Sequence, residues 1–158
     1  MTASDIIIRE ARPGDAPAIA SFQLAMARET EGLELNAQTL RQGVEAVFRD
    51  PGLGRYFIAE ADDRPLASLM ITYEWSDWRN GWVWWIQSVY VIPAFRGKGL
   101  YSRMYAHLQD RVQAGKDALG LRLYVDQRNV SAIEVYRRLG MDDGHYTMFE
   151  WFPADRIG

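Results

Sequence analysis

The chain has 158 residues, 48% hydrophobic and 25% charged, which places it among soluble globular proteins with a core large enough to fold alone. A formal net charge of -3, with 18 Lys and Arg scattered along the chain, leaves no basic footprint for nucleic acid. The absence of cysteine removes disulfides, thiolate zinc sites and a cysteine nucleophile together, and His107 and His145 form no metal-ligand spacing.

No apolar run approaches the ~20 residues of a membrane span. The opening Met-Thr-Ala-Ser-Asp lacks the basic flank and apolar core of a secretory leader. The expectation is a cytoplasmic protein with no metal, membrane or nucleic-acid partner.

Ile6-Ile7-Ile8 predicts a short buried strand. Pro13 to Pro17 predicts a helix start with Asp15 as cap or first-turn acid, followed by Ile19, Phe22 and Met26 at helical spacing. Residues 29–34 form a polar break containing Gly32. Asn36 caps a second predicted helix with the stripe Leu40, Val44, Val47 and Phe48, which Asp50-Pro51-Gly52 ends.

From Arg55 the period changes. Tyr56 to Ala61 and Leu66 to Tyr73 predict two strands joined through Asp62-Asp63-Arg64-Pro65, and Trp82 to Ile92 predicts a long third strand after a turn at 78–81. Leu100, Met104, Leu108 and Val112 repeat every four residues and predict a helix to about Ala114. Leu121, Leu123 and Val125 alternate as a strand. Residues 129–139 predict a helix stopped by Gly140, and Tyr146 to Phe152 a closing strand. The order β-α-α-β-β-β-α-β-α-β implies an α/β fold, a mixed sheet flanked by helices, in one domain over residues 4–153.

Chemistry concentrates in Val89-Tyr90-Val91-Ile92-Pro93-Ala94-Phe95-Arg96-Gly97-Lys98-Gly99-Leu100. A strand ends, a loop with two glycines follows, and a helix begins at once. Glycines permit positive φ and close backbone approach, so several N–H groups can converge on one anion. The helix N-terminus adds about half a positive charge, and Arg96 and Lys98 add full ones. Those are the properties of a diphosphate cradle. Neither the nucleoside-triphosphate pattern nor the dinucleotide fingerprint is present, since no third glycine follows Gly97 and Gly99 at the spacing the latter needs, where Ser102 stands. The competing reading is a strand–turn–helix junction whose glycines serve the turn alone.

The segment resembles the acyl-CoA signature of the GNAT acyltransferase superfamily, Arg/Gln-x-x-Gly-x-Gly/Ala, with Arg96 and Gly99 in its first two fixed places and Tyr101 in the last, where Gly or Ala is usual. Ser88-Val89-Tyr90-Val91-Ile92-Pro93 is similar to that family's central strand with its proline exit. Asn129, Ala132, Tyr136 and Gly140 match its Asn-x-x-Ala-x-x-x-Tyr-x-x-x-Gly helix. The resemblance spans nearly the whole chain.

It implies an acetyl-CoA-dependent N-acetyltransferase in which an amine attacks the thioester directly, the amine being a small molecule or a protein group. The cofactor contacts implied are Val89, Tyr90 and Val91 on the central strand, Arg96, Gly97, Lys98, Gly99, Leu100, Tyr101 and Ser102 in the cradle, and Asn129 and Tyr136. The Val89 amide would face the thioester carbonyl and stabilise a developing oxyanion. The Tyr101 ring would lie on the helix surface with Tyr105.

Tyr136 matches the tyrosine that protonates the departing thiolate in many members, and its spacing also suits a core position. Asn129 also suits a helix N-cap. For the base, Glu74 is the leading carboxylate, with Glu29, Glu31 and Glu34 as others. A non-catalytic acyl-CoA-binding domain and a purely assembling domain are the alternative functions.

Trp75, Trp78, Trp82, Trp84 and Trp85 crowd the hairpin before the central strand, Trp84 and Trp85 reading as core. Trp75 and Trp78 read as an acceptor wall or a homodimer contact. The stretch Thr72 to Trp78 is similar to the polyamine and diamine acetyltransferase branch. Gln87 and Ser88 stand where that branch carries acidic residues, so polyamine is not assigned as substrate.

Overall fold

A computed structural model describes residues 5–115 and 117–156. The chain divides into two compact units, Met1–Leu123 and Tyr124–Gly158. The first holds β1 (Ile7–Glu10), α1 (Ala16–Glu31), α2 (Ala37–Arg49), β2 (Arg55–Ala61), β3 (Arg64–Ser76), β4 (Gly81–Val91), α3 (Leu100–Gln113) and β5 (Leu121–Arg122). The strands form one sheet in the order β1-β2-β3-β4-β5. Pairing is antiparallel except between β4 and β5, so the mixed sheet expected from the sequence is present.

Alternation along β2 decides which helix covers which face. Tyr56 and Ile58 join Ile19, Ala20 and Val44 of α1 and α2 in one buried cluster, against which Met70 packs. Phe57 points the other way, toward Trp84 of β4 and His107 of α3, at ring separations of 6.4 and 5.8 Å. Trp84, only 1% exposed, anchors that second face, in the core position expected for it. Burying each such side chain contributes about 1.5–3 kcal/mol.

Turn chemistry follows the residues. Asp62 and Asp63 both take positive φ, at 50° and 58°, making a two-residue hairpin turn with Arg64 and Pro65 already in β3. Asn36 Oδ1 caps α2 by accepting from the Thr39 amide at 2.9 Å. Gly32 ends α1 in the left-handed conformation at φ 63°.

Two expectations for this unit change. β1 is only half-buried, because it is the sheet's outer strand and pairs with β2 alone. Of the two roles expected for Asp15, the first-turn acid is met in the 3-10 turn Pro13–Asp15, but the residue makes no side-chain cap to α1. Its carboxylate accepts instead from the Arg12 amide at 2.7 Å and from Arg9 at 2.9 and 3.1 Å.

Arg9 also donates to Glu60 at 2.8 and 3.0 Å, and all three side chains are largely buried. Burial raises the Asp15 carboxyl, but Arg9 and the Arg12 amide outweigh it and hold it below its usual value; Arg9 lowers Glu60 likewise. Depressed carboxyls stabilise the fold above the ordinary carboxylate range near ~4, and that contribution is lost as pH falls through the folded-state values. Arg9→Gln is therefore expected to cost about 2 kcal/mol at pH 7 and clearly less at pH 3. Urea unfolding at the two pH values tests this, and an equal loss at both would refute it.

The second unit holds α4 (Val130–Arg138) and a 3-10 turn at Ala154–Arg156. Asn129 Oδ1 accepts from the Ala132 amide at 3.2 Å and caps α4. Gly140 at φ 89° ends it, with the Met141 amide bonded to Tyr136 O and the Gly140 amide to Arg137 O. The strand expected over 146–152 is not formed. A strand needs a ladder partner, and the described residues of this unit include no strand. Phe149 is consequently 91% exposed. Among the described residues no helix is long and apolar enough to cross a membrane.

Candidate functional site

β4 runs into a 3-10 turn at Pro93–Phe95, Arg96 stays extended, and α3 starts at Leu100. Between them Gly97 and Gly99 take positive φ, at 71° and 76°. A Cβ at either glycine would meet nothing within 4 Å, so the space in front of this backbone is open. Gly99 occupies the α3 N-cap without a side-chain cap, and the first helical bond runs from the Arg103 amide to Gly99 O. The helix therefore supplies no acceptor for the amides of Leu100, Tyr101 and Ser102. Left-handed glycines leading into a helix N-terminus are what an anion cradle requires. The backbone present fits a diphosphate.

Leu100 is buried and pins this helix start. The Tyr101 ring lies 6.4 Å from that of Tyr105 as expected, but Tyr105 is buried, so the pair sits against the core and not on the open helix surface. Lys98 Nζ sits 5.2 Å from the Phe95 ring centroid.

Just before the cradle, β4 is irregular on both edges. Toward β3, Ser68 pairs with Tyr90 and Met70 with Gln87, so three steps on β4 oppose two on β3. This bulge centres on Ser88, a non-glycine residue held at φ 54°. Such a conformation costs about 1–2 kcal/mol and persists only where surroundings enforce it. Gln23 of α1, 6% exposed, donates to Ser88 O at 3.3 Å and supplies part of that enforcement.

Toward β5, pairing is confined to Trp84–Leu121 and Trp85–Arg122. β5 ends at Arg122, so among the described residues Ile86 to Val91 of β4 have no β5 partner.

Arg96 does not point its charge freely at the cradle. Its Nε donates to Val91 O at 2.9 Å and its Nη2 to Glu29 Oε2 at 2.6 Å, with the guanidinium over the Tyr90 ring. Tyr90 OH donates to the other Glu29 oxygen at 2.9 Å. Arg96 and Tyr90 together hold the Glu29 carboxyl below its ordinary value.

Glu74 lies on β3 and accepts from Trp85 Nε1 at 3.1 Å and from Arg122. Burial raises its carboxyl, but Trp85 and Arg122 prevail and lower it. Beside it Gln87 donates to Thr72 Oγ1 at 3.0 Å. Trp85 is thus half-buried with a polar partner, whereas Trp75 and Trp78 stand exposed at the hairpin tip, Trp78 at 92%.

Asn129 caps α4 and Tyr136 lies on it, both in the second unit, and burial raises the Tyr136 phenol. Sequence reasoning missed Gln23 and the tie between Glu29 and Arg96. Gln23 left a signal, since it follows Ile19 by four residues and so falls on the buried stripe of α1. Glu29 left none, its partner lying 67 residues away.

A family model described as Acetyltransferase (GNAT) family matches residues 19–141. The chain belongs to that family. A possible acetyltransferase from Clostridium difficile 630 is 40% identical with a TM-score of 0.87, covering 94% of this chain and 97% of that one. A predicted acetyltransferase with acetyl-CoA from Clostridium acetobutylicum superposes with a TM-score of 0.71 at 20% identity, covering 92% and 96%. A transcriptional regulator from Bacillus halodurans C-125 superposes at 0.77 with 19% identity, covering 93% and 99%. At such identities the likeness shows the GNAT fold alone. No curated protein matches the chain.

Proposed function

We propose that this GNAT family member is an acetyl-CoA-dependent N-acetyltransferase acting on a primary amine of a small molecule or a protein. The observation that carries this reading is the open pair of left-handed glycines at the uncapped start of α3, directly after a bulged and half-unpaired β4. Acetyl-CoA supplies the acetyl group as a thioester. A C–N bond forms as the C–S bond breaks, the amine gives up a proton, and the departing thiolate takes one.

Each of these needs is assigned to residues of this chain. Amides over 97–102 hold the diphosphate. The β4 backbone at Val89 and Val91 pairs with the pantetheine arm, and the Val89 N–H donates to the thioester oxygen. Tyr136 gives the thiolate its proton, an assignment resting on its place in the Asn-x-x-Ala-x-x-x-Tyr-x-x-x-Gly pattern. Burial suits it by keeping the phenol protonated at neutral pH. Glu74, held ionised by Trp85 and Arg122, attracts the ammonium form and relays its proton to solvent through water. Gln87 is a neutral amide engaged with Thr72, so the acceptor is read as an amine without polyamine specificity.

A non-catalytic CoA-binding role is favoured by one observation, the engagement of both Glu29 and Glu74 by arginines. Incubation with acetyl-CoA and an amine panel, following free thiol, separates the two. Turnover on any amine establishes the enzyme. A rise in Tm with CoA but no thiol establishes the binder, and neither result removes both.

A further inference from the structure

We infer that Glu29 is a positioning residue for the acyl-CoA loop, its carboxylate holding Arg96 folded back over the end of β4 so that the glycine turn keeps one shape. This rests on the proposed cofactor role of that loop and adds a residue that the signature does not contain.

Glu29 sits in the last turns of α1, and both its oxygens are engaged, one by Tyr90 OH at 2.9 Å and one by Arg96 Nη2 at 2.6 Å. Arg96 in turn donates its Nε to Val91 O at 2.9 Å and lays its guanidinium 5.3 Å from the Tyr90 ring centroid. The Tyr90 ring itself packs 5.2 Å from Phe22 of α1. The loop from Ile92 to Arg96 is therefore closed upon the strand it leaves, and the closure is fastened to α1. Gly97 follows immediately, with no side chain of its own to fix its direction. An arginine that is otherwise free has many rotamers, and a charged partner selects one of them.

The pair is substantially exposed, at 47% and 38% for the two side chains, so it adds little to global stability. Its effect falls on the geometry of the loop. That distinction supplies the test, because a merely structural surface pair would leave cofactor affinity unchanged.

The experiment measures CoA affinity by calorimetry, and acetyl-CoA kinetics on an accepted amine, for wild type, Glu29→Ala, Glu29→Gln, Arg96→Ala and the Glu29→Ala/Arg96→Ala pair. Glu29→Ala is expected to weaken CoA binding about fivefold while Tm shifts by only about 2 °C. Its acetyl-CoA KM rises, with kcat at saturation within about twofold. Glu29→Gln, which keeps one neutral acceptor oxygen for Arg96 and turns an N–H toward the Tyr90 hydroxyl oxygen, falls between. The double variant binds no worse than the weaker single, because the residues act as a unit.

Unchanged affinity in Glu29→Ala, or losses that simply add, overturns the inference while the enzyme reading stands. Tighter binding overturns it too, since Glu29 would then be a competitor of the diphosphate. A large fall in kcat with unchanged KM overturns it in favour of a base. Wild-type protein that binds no CoA overturns both this inference and the reading it rests on.

Discussion

Gly99→Ala is expected to weaken CoA binding by about 100-fold while leaving a folded protein. Two effects of very different size arise from one methyl group. In the free protein the added Cβ meets nothing within 4 Å, so the stability cost is only that of placing alanine at φ 76°. That is about 1–2 kcal/mol, or a Tm lower by about 2–8 °C for a chain of this size. With the proposed diphosphate bound, the same methyl would occupy the space in front of the amides of the loop and of the first turn of α3. Calorimetry with CoA and a thermal melt separate the two costs. Gly43→Ala is the matched control. Its Cβ also meets nothing, but it lies inside α2, so stability should rise by about 0.5–1 kcal/mol with CoA affinity unchanged. Equal CoA affinity in Gly99→Ala and wild type would mean that the glycines serve the turn alone.

The second large effect is expected at Tyr136. Its phenylalanine variant keeps the ring and its packing but removes the proton. We expect kcat to fall about 100-fold, with the acetyl-CoA KM little changed. The sign of the pH dependence follows from burial, which raises the phenol above its ordinary value near ~10. An acid must be protonated to act, so the wild-type rate holds through neutral pH and declines only on the alkaline side of the raised value. Tyr136→Phe loses that decline along with the rate. A variant that keeps more than about half of the wild-type kcat would assign Tyr136 to packing and leave the thiolate to take its proton from water.

Much of this organisation is legible in the amino-acid sequence. The four-residue repeat of Leu100, Met104, Leu108 marks a helix whose buried residues include all three. Asn36 and Asn129 announce helix starts because a short amide side chain can satisfy a first-turn N–H, and both do so. Gly32 and Gly140 announce helix ends for the complementary reason, each adopting the left-handed conformation that side chains disfavour. The first and last residues of the Asn-to-Gly pattern are thus the two boundaries of α4. Strand length was less legible. Alternation over 121–125 and 146–152 suggested strands, yet only Leu121–Arg122 pairs. A side-chain pattern reports exposure of alternate positions but not the presence of a neighbour to bond with.

What the amino-acid order determined by itself is therefore local: where helices begin and stop, which face of each is apolar, and that two glycines stand between a strand and a helix. Tertiary structure alone decided the rest. The bulge at Ser88 exists because β3 and β4 pair out of step and Gln23 reaches it from α1. The charge of Arg96 is claimed by Glu29, 67 residues earlier in the chain. Local propensity acts over a few neighbouring residues, whereas strand register and ion pairing depend on which distant segments folding brings within about 3 Å of one another.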